Sequence, residues 1–331
     1  MKINRKVLKF GFVVVGLLVL LVAGIGAYLF FSMSKAMRDG GYVEDWDDAD
    51  GTVMLDICYG DGALNTFDMF VPANMQNADS AALMLFIHGG SWMGGDKADE
   101  HYACRRYAKR GAVTVSMNYS LLGKPDNPEA SLPMMLSEIG QCVSKVVAEA
   151  AGRGISLRQM SISGTSAGGH LALLYAMRCG GECALPIRFV AEKVGPVDFD
   201  LLFPADSIQF VQLLAQADTD KLNDVKQMFF AMSGKHYMVD ELSWQLRDSL
   251  VKSVSPSFWA DSADVPVLAA YGGADNLVKP SHPAALEEVL TRNGTPHRII
   301  MFPNSGHMLS KDTPQRDSLQ QAVTRWMDIY F

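Results

Sequence analysis

Three residues in this chain have the types and the order that acyl-transfer chemistry needs. They are Ser166, Asp275 and His307. Ser166 sits at the centre of "GTSAG", residues 164–168, a G-x-S-x-G pentapeptide between the strand-like "QMSIS" and the helix-like "HLALLYA". A turn that tight tolerates almost no flanking side chains. It lifts the hydroxyl above a sheet edge and sets the Ala167 N–H at a helix N-terminus, where an oxyanion would form. The pentapeptide alone is a weak signal, because a glycine-rich loop with a serine is often only a turn. Its position between a strand and a helix strengthens it.

A serine nucleophile requires a base and a group that orients the base. Among the seven histidines, His307 in "NSGHM" lies between the last strand and the last helix. Asp275 in "YGGADNLV" lies in the loop after the preceding strand, with Asp198 and Asp264 as alternatives. The second half of an oxyanion hole is read in "HGGSW", residues 88–92, from the N–H groups of Gly90 and Ser91. His88 reads as a brace for that loop. Trp92 reads as either a substrate-binding wall or packing. His170 belongs to the helix after the serine.

These residues need a scaffold, and the hydrophobic pattern supplies one. "VMLDICYG" and "NTFDMFVP" read as an antiparallel pair. "ALMLFIHGG" is a nearly continuous apolar run, as a strand covered on both faces should be. From there strands and helices alternate to a closing helix, "TPQRDSLQQAVTRWMDIYF". The pattern predicts an α/β domain over 53–331, with a mostly parallel sheet and helices on both faces. Residues 198–255, rich in Phe, Leu and Met, break the rhythm and read as a small helical cap that contributes to an acyl pocket.

The N-terminus is a separate object. Lys2, Arg5, Lys6 and Lys9 precede Phe10–Phe31, which has no charged residue. As a helix that run would be roughly 33 Å long, enough to span a bilayer core. The expectation is a basic cytoplasmic segment over 1–9, a transmembrane anchor over 10–31, a polar stalk over 32–52 and a catalytic domain outside the cytoplasm. A cleaved signal peptide, giving a secreted protein, is the alternative. The five cysteines all follow the anchor, in a disulfide-permissive setting. Cys179 and Cys183 are close enough to be bridged if the Gly180-Gly181 turn allows it; Cys104 and Cys142 read as buried thiols. No Cys/His spacing suggests a metal site. The net charge of −7 on 331 residues argues against a nucleic-acid partner.

Together "FIHGGSWMGGDK", "AVTVSMNYSL", "ISGTSAGGHLALLYA", "VLAAYGGADNLV" and "NSGH" resemble the α/β-hydrolase superfamily. The likeness is strongest to the esterase/lipase group with an HGGGW-type oxyanion loop, which includes carboxylesterases and feruloyl-esterase-like enzymes. It covers about residues 53–331, the cap least. The resemblance implies Ser166 as nucleophile, His307 as base, Asp275 as acid, and Gly90, Ser91 and Ala167 as oxyanion hole, with no cofactor. It also implies an ester substrate, a small molecule or a glycan. An acyltransferase or peptidase on the same triad, and a non-catalytic binding scaffold, are the other readings. Ser91 stands where the family has a third glycine, which requires a negative φ there. Glu138 stands where the family often has aspartate, and no functional role is attached to it.

Overall fold

The computed structural model describes residues 44–75, 79–262 and 265–331. The expected basic segment, the anchor and most of the stalk lie outside these residues, as does Asp264. Among the described residues no helix is long and apolar enough to cross a membrane.

Eight strands form one sheet. In chain order they are β1 (Gly51–Cys58), β2 (Thr66–Pro72), β3 (Ala81–Ile87), β4 (Val113–Met117), β5 (Leu157–Thr165), β6 (Ile187–Lys193), β7 (Val267–Gly272) and β8 (His297–Phe302). Their spatial order is β1-β2-β4-β3-β5-β6-β7-β8. β1 and β2 are antiparallel, β2 runs antiparallel to β4, and the remaining pairs are parallel.

The near-continuous apolar strands follow from burial on both faces. Leu83, Leu85 and Ile87 of β3 point into one core, and Met84 and Phe86 point into the other. The first core is covered by α2 (Leu132–Ala151), α3 (Ala167–Cys179) and α9 (Ser281–Asn293). The second is covered by α1 (His101–Ala108) and α10 (Thr313–Tyr330). β5 is central even though Ser161 and Ser163 are polar. The Ser163 hydroxyl donates to the Ala191 carbonyl at 2.5 Å, while Ser161 Oγ has no partner.

The insert folds as α4 (Phe199–Leu202), α5 (Ser207–Gln216), α6 (Thr219–Ser233) and α7 (Trp244–Ser253), followed by α8 (Pro256–Trp259). Its aromatic residues pack on one another: Phe210 stacks on Phe229 at 6.2 Å and meets Trp244 at 6.0 Å.

Two expectations are corrected here. The last residues of the expected stalk lie on the body. Trp46 packs edge-on against Phe70 at 5.8 Å, Glu44 pairs with Arg106 at 3.1 Å, and Gly51 already begins β1. An aromatic ring with a core partner at hand is worth burying, so this segment docks. Cys179 and Cys183 are free thiols, as are the other three cysteines. The chain between them forms a 3₁₀ turn, Gly180–Glu182, and Cys183 Sγ lies 3.5 Å from Met160 Sδ instead of facing Cys179. Cys104 and Cys142 are buried as expected, and burial pushes both thiols up from their ordinary value.

Candidate active site

The strand order reverses at β3, with β4 on one side and β5 on the other. Ligand sites of open α/β sheets form at the carboxyl ends of strands beside such a point. Ser166 stands there, between the end of β5 and the start of α3. Its backbone is at φ 57°, ψ −118°, a region costing about 1–3 kcal/mol for a residue with a side chain. The surrounding packing holds it: Ser166 N donates to Lys193 O at 2.8 Å, and His170 N donates to Ser166 O at 2.9 Å. The small neighbours are required. A β-carbon on Gly168 would stand 2.0 Å from the Ile87 carbonyl oxygen, and one on Gly89 would stand 3.3 Å from Ser166 Cβ. The Gly89 loop therefore passes directly beside Ser166. Ala167 opens α3, where helix geometry gives its N–H no acceptor.

The loops after β7 and β8 bring the other two residues to the serine. Ser166 Oγ donates to His307 Nε2 at 2.8 Å, and His307 Nδ1 donates to Asp275 Oδ2 at 2.7 Å. Asp275 is fully buried, and its Oδ1 accepts from Leu277 N at 2.8 Å and Val278 N at 3.1 Å. The proton on Nδ1 is thereby fixed and Nε2 is left as the acceptor. The two loops are tied together: Ala274 N donates to Ser305 O, and Asp312 holds Asn304 and the Ser305 hydroxyl. Asp198, the alternative acid, instead caps α4 by accepting from Asp200 N at 2.8 Å.

The oxyanion loop corrects the expectation for Ser91. Its φ is +55° and that of Trp92 is +60°. Met93 N closes back onto Gly90 O at 3.0 Å, so the four residues make a type I′ turn, which needs positive φ at both central positions. Trp92 turns away from the serine. Its Nε1 donates to His170 Nδ1 at 3.2 Å and its ring lies 5.5 Å from that of Phe199, so it braces the loop against α3 and the insert. His88 is a buried brace: Nδ1 donates to Gly89 O at 2.7 Å, the ring stacks on Tyr119 at 4.3 Å, and desolvation brings its pKa down to about 4. Glu138 accepts from Asn65 and from both Ser120 N and its hydroxyl, a buried structural network.

Two histidines without a sequence signal for this role pin the insert. His170 Nε2 donates to Val254 O at 2.7 Å, and His282 Nδ1 accepts from Val197 N at 3.2 Å. Val197 directly precedes the insert and Val254 lies at its end. Burial lowers the pKa of both to about 4.

A cavity of about 120 Å³ opens on Ser166 and His307. No residue of 198–255 lines it, contrary to expectation; its walls come from α1, the ends of β5 and β6, residues 307–310 and α10. The insert's apolar side chains are engaged in its own packing and against α2, which leaves the second-core side of the elbow open. Glu192 stands at the end of β6 beside the cavity, with its carboxyl on the first-core side of the sheet against Gly169, Gly195 and Tyr271. This carboxyl is 1% exposed; Oε2 accepts from Gly195 N at 2.7 Å, and desolvation pushes its pKa up to about 8. Sequence reasoning passed over Glu192, although a charged Glu-Lys pair ending the apolar strand "IRFVAEK" was a usable signal. Among the described residues no cluster of His, Cys, Asp or Glu could hold a metal ion.

A mostly parallel sheet carrying a strained elbow serine, hydrogen-bonded through histidine to a buried aspartate, defines an α/β-hydrolase. The chain belongs to the BD-FAE family, whose model matches residues 67–290. The Dienelactone hydrolase family model matches residues 252–329. Over 120 residues the chain is 28% identical to a probable isoprenylcysteine alpha-carbonyl methylesterase of Oryza sativa subsp. japonica, covering 36% of this chain and 27% of that protein. It spans less than two thirds of the length of the curated relatives it first matches. Among solved structures, a truncated carbohydrate esterase from gut microbiota superposes with a TM-score of 0.64 at 20% identity, over 86% of this chain and 99% of that one. Esterase B from Lactobacillus rhamnosis, inhibited by a C6-C4 compound, gives 0.66 at 19% identity, over 94% and 96%. These two likenesses establish the fold.

Proposed function

We propose that this protein is a serine carboxylesterase for short-chain acyl esters, held at a membrane by its N-terminal segment with the catalytic domain outside the cytoplasm. The observation that carries the activity is the continuous hydrogen-bonded chain Ser166–His307–Asp275, at 2.8 and 2.7 Å, on a strained elbow. His307 takes the Ser166 proton as Oγ attacks the ester carbonyl. The oxyanion is met by backbone N–H groups of Gly90, Ser91 and Ala167, each worth about 3 kcal/mol of transition-state stabilisation. His307 then gives its proton to the departing alcohol, and water releases the acid from the acyl-enzyme by the same steps reversed. Asp275 keeps the imidazole in the tautomer that can accept from Ser166. None of these steps calls on a cofactor.

The short acyl preference is supported by the small volume of the cavity on Ser166 and by the packing of the insert's aromatic residues into its own core. A long chain needs an extended apolar tunnel or a mobile lid. Across p-nitrophenyl esters from C2 to C16, kcat/KM is expected to peak at C2–C4 and fall at least tenfold by C10. A steady rise to C12–C16 would make the protein a lipase instead. The structural neighbour named as a carbohydrate esterase supports acylated glycans as the natural class.

Support for the anchor comes from the uncharged run Phe10–Phe31 behind four cations. The full chain is expected to sediment with membranes and resist carbonate extraction. A chain lacking residues 1–31 is expected to be soluble and active, because every catalytic motif lies beyond residue 80. A shortened mature form in the medium would establish signal cleavage in place of anchoring.

A further inference from the structure

We propose that Glu192 is a positioning residue for the nucleophile: its carboxyl closes the 192–195 turn, and that turn carries the carbonyl that grips Ser166 N. This rests on the serine esterase reading above and adds to it a residue that touches no substrate.

The elbow depends on a backbone partner outside its own strand and helix. Ser166 N donates to Lys193 O at 2.8 Å, and the Ser166 backbone stands at φ 57°. The turn that supplies this carbonyl is itself strained. Val194 has φ +50°, and a β-branched residue takes a positive φ only where its surroundings impose it. Two hydrogen bonds impose it here. Val194 N donates to Ala270 O at 2.8 Å, which ties the turn to β7. Gly195 N donates to Glu192 Oε2 at 2.7 Å, which closes the turn on itself. Lys193 and its carbonyl lie inside the ring that this second bond closes.

The same turn meets the elbow a second time. A β-carbon on Gly195 would stand 2.8 Å from Gly169 C and 2.8 Å from His170 N, so the Gly195 backbone lies against the first turn of α3. The Gly195 carbonyl accepts from the Tyr271 hydroxyl at 2.7 Å. Tyr271 belongs to β7, the strand that leads to Asp275. Glu192 on one side and Tyr271 on the other therefore hold a single residue, Gly195, between the strand of the acid and the helix of the nucleophile.

The chemistry of the position argues for this use. Val190, two residues back on the same face of β6, packs in the apolar first core. A carboxyl at Glu192 carries a desolvation cost that an apolar side chain there would not. Only one of its oxygens is repaid, because Oε1 has no hydrogen-bond partner. Stability alone gives no reason for a half-satisfied carboxyl in a core; the hold on the turn does. Burial pushes the pKa up to about 8, so at neutral pH the group is the uncharged acid. Glutamine reproduces its shape and its acceptor.

The test follows p-nitrophenyl acetate hydrolysis, the rate of Ser166 labelling by a fluorophosphonate and the melting temperature, all on the purified full chain. Glu192→Met fills the same space with no oxygen acceptor. It is expected to lower kcat and the labelling rate together by about 10- to 100-fold, with KM changed less than about twofold, since the serine is displaced and the pocket is not. Glu192→Gln keeps the acceptor and should hold kcat within about threefold of the parent. Tyr271→Phe releases Gly195 from the other side and should lower kcat by about three- to tenfold, again without a change in KM. The proposal is overturned if folded Glu192→Met keeps kcat within about twofold of the parent, if Glu192→Gln loses as much as Glu192→Met, or if the loss falls on KM. Should Glu192→Met not fold, Tyr271→Phe decides, and an unchanged kcat there overturns the proposal. A parent chain that cleaves no ester and takes no label would remove the esterase reading and this assignment with it.

Discussion

Ser166→Ala is expected to lower ester hydrolysis by about 10⁴- to 10⁶-fold while the protein stays folded, because the side chain removed is small and half-buried and makes one hydrogen bond, to His307. Labelling by a fluorophosphonate should disappear with it. His307→Ala should cost nearly as much. Asp275→Asn is the more informative change. The asparagine carbonyl can go on accepting from Leu277 N and Val278 N, so the loop keeps its shape. Its amide would then donate to His307 Nδ1, moving the ring proton to Nε2, where it faces the Ser166 hydroxyl and cannot serve as base. A loss of about 10³- to 10⁴-fold in kcat, with little change in melting temperature, is expected. Full activity in this variant would show that the buried carboxylate does not orient the base.

Glu192→Gln is expected to change stability more than any other single conservative replacement in the site, and in a pH-dependent direction. The folded-state pKa of Glu192 is raised from 4.5 to about 8, first by desolvation, against the opposing hydrogen bond from Gly195 N. Below pH 4.5 folded and unfolded states are both protonated, and the group's contribution is fully present. Between 4.5 and about 8 the unfolded chain ionises and the folded one does not, so stability falls by roughly 1.4 kcal/mol per pH unit, up to about 5 kcal/mol in all. Glutamine mimics the neutral acid and is free of this loss. The variant should match the parent near pH 4.5 and exceed it increasingly up to pH 8, read as denaturant midpoints at fixed ionic strength. His88, His170 and His282 act in the opposite sense. Their lowered pKa values, about 4, remove stability as pH falls below 6.5 in both proteins, so the comparison must be made pairwise at each pH. A constant difference between parent and variant from pH 5 to 8 would show that Glu192 is ionised in the folded protein throughout.

Much of the scaffold could be read from the chain because the signals are local. "ALMLFI" is apolar at every position since both faces of β3 are covered, and the run of strands and helices from β3 to α10 follows the same logic. The antiparallel β1–β2 pair, the parallel remainder and the helical insert lie where hydrophobic pattern and turn residues put them. Boundaries were less legible. β1 begins at Gly51, and residues 44–50 dock on the body, because Trp46 finds a partner in Phe70 that no neighbouring residue announces. The elbow is legible for a stronger reason: Gly168 approaches the Ile87 carbonyl so closely that the fold demands a glycine there.

By itself, then, the sequence determined the sheet, the elbow and the order Ser166, Asp275, His307, since each follows from periodicity, from a turn with one steric solution, or from loops at the same ends of parallel strands. Only the tertiary structure decided how those groups and their neighbours are used. Ser91 takes a positive φ because the turn closing Met93 onto Gly90 needs it, and Trp92 braces the loop because His170 and Phe199 lie across from it. Cys179 and Cys183 stay apart because a 3₁₀ turn separates them. The cavity draws on α1 and α10 rather than on the insert, and it collects Arg106, Lys193 and Arg316 from three distant stretches of chain. A pocket is the space left between elements, and its charge is the sum of residues remote from one another along the chain. Neither is carried by any local pattern.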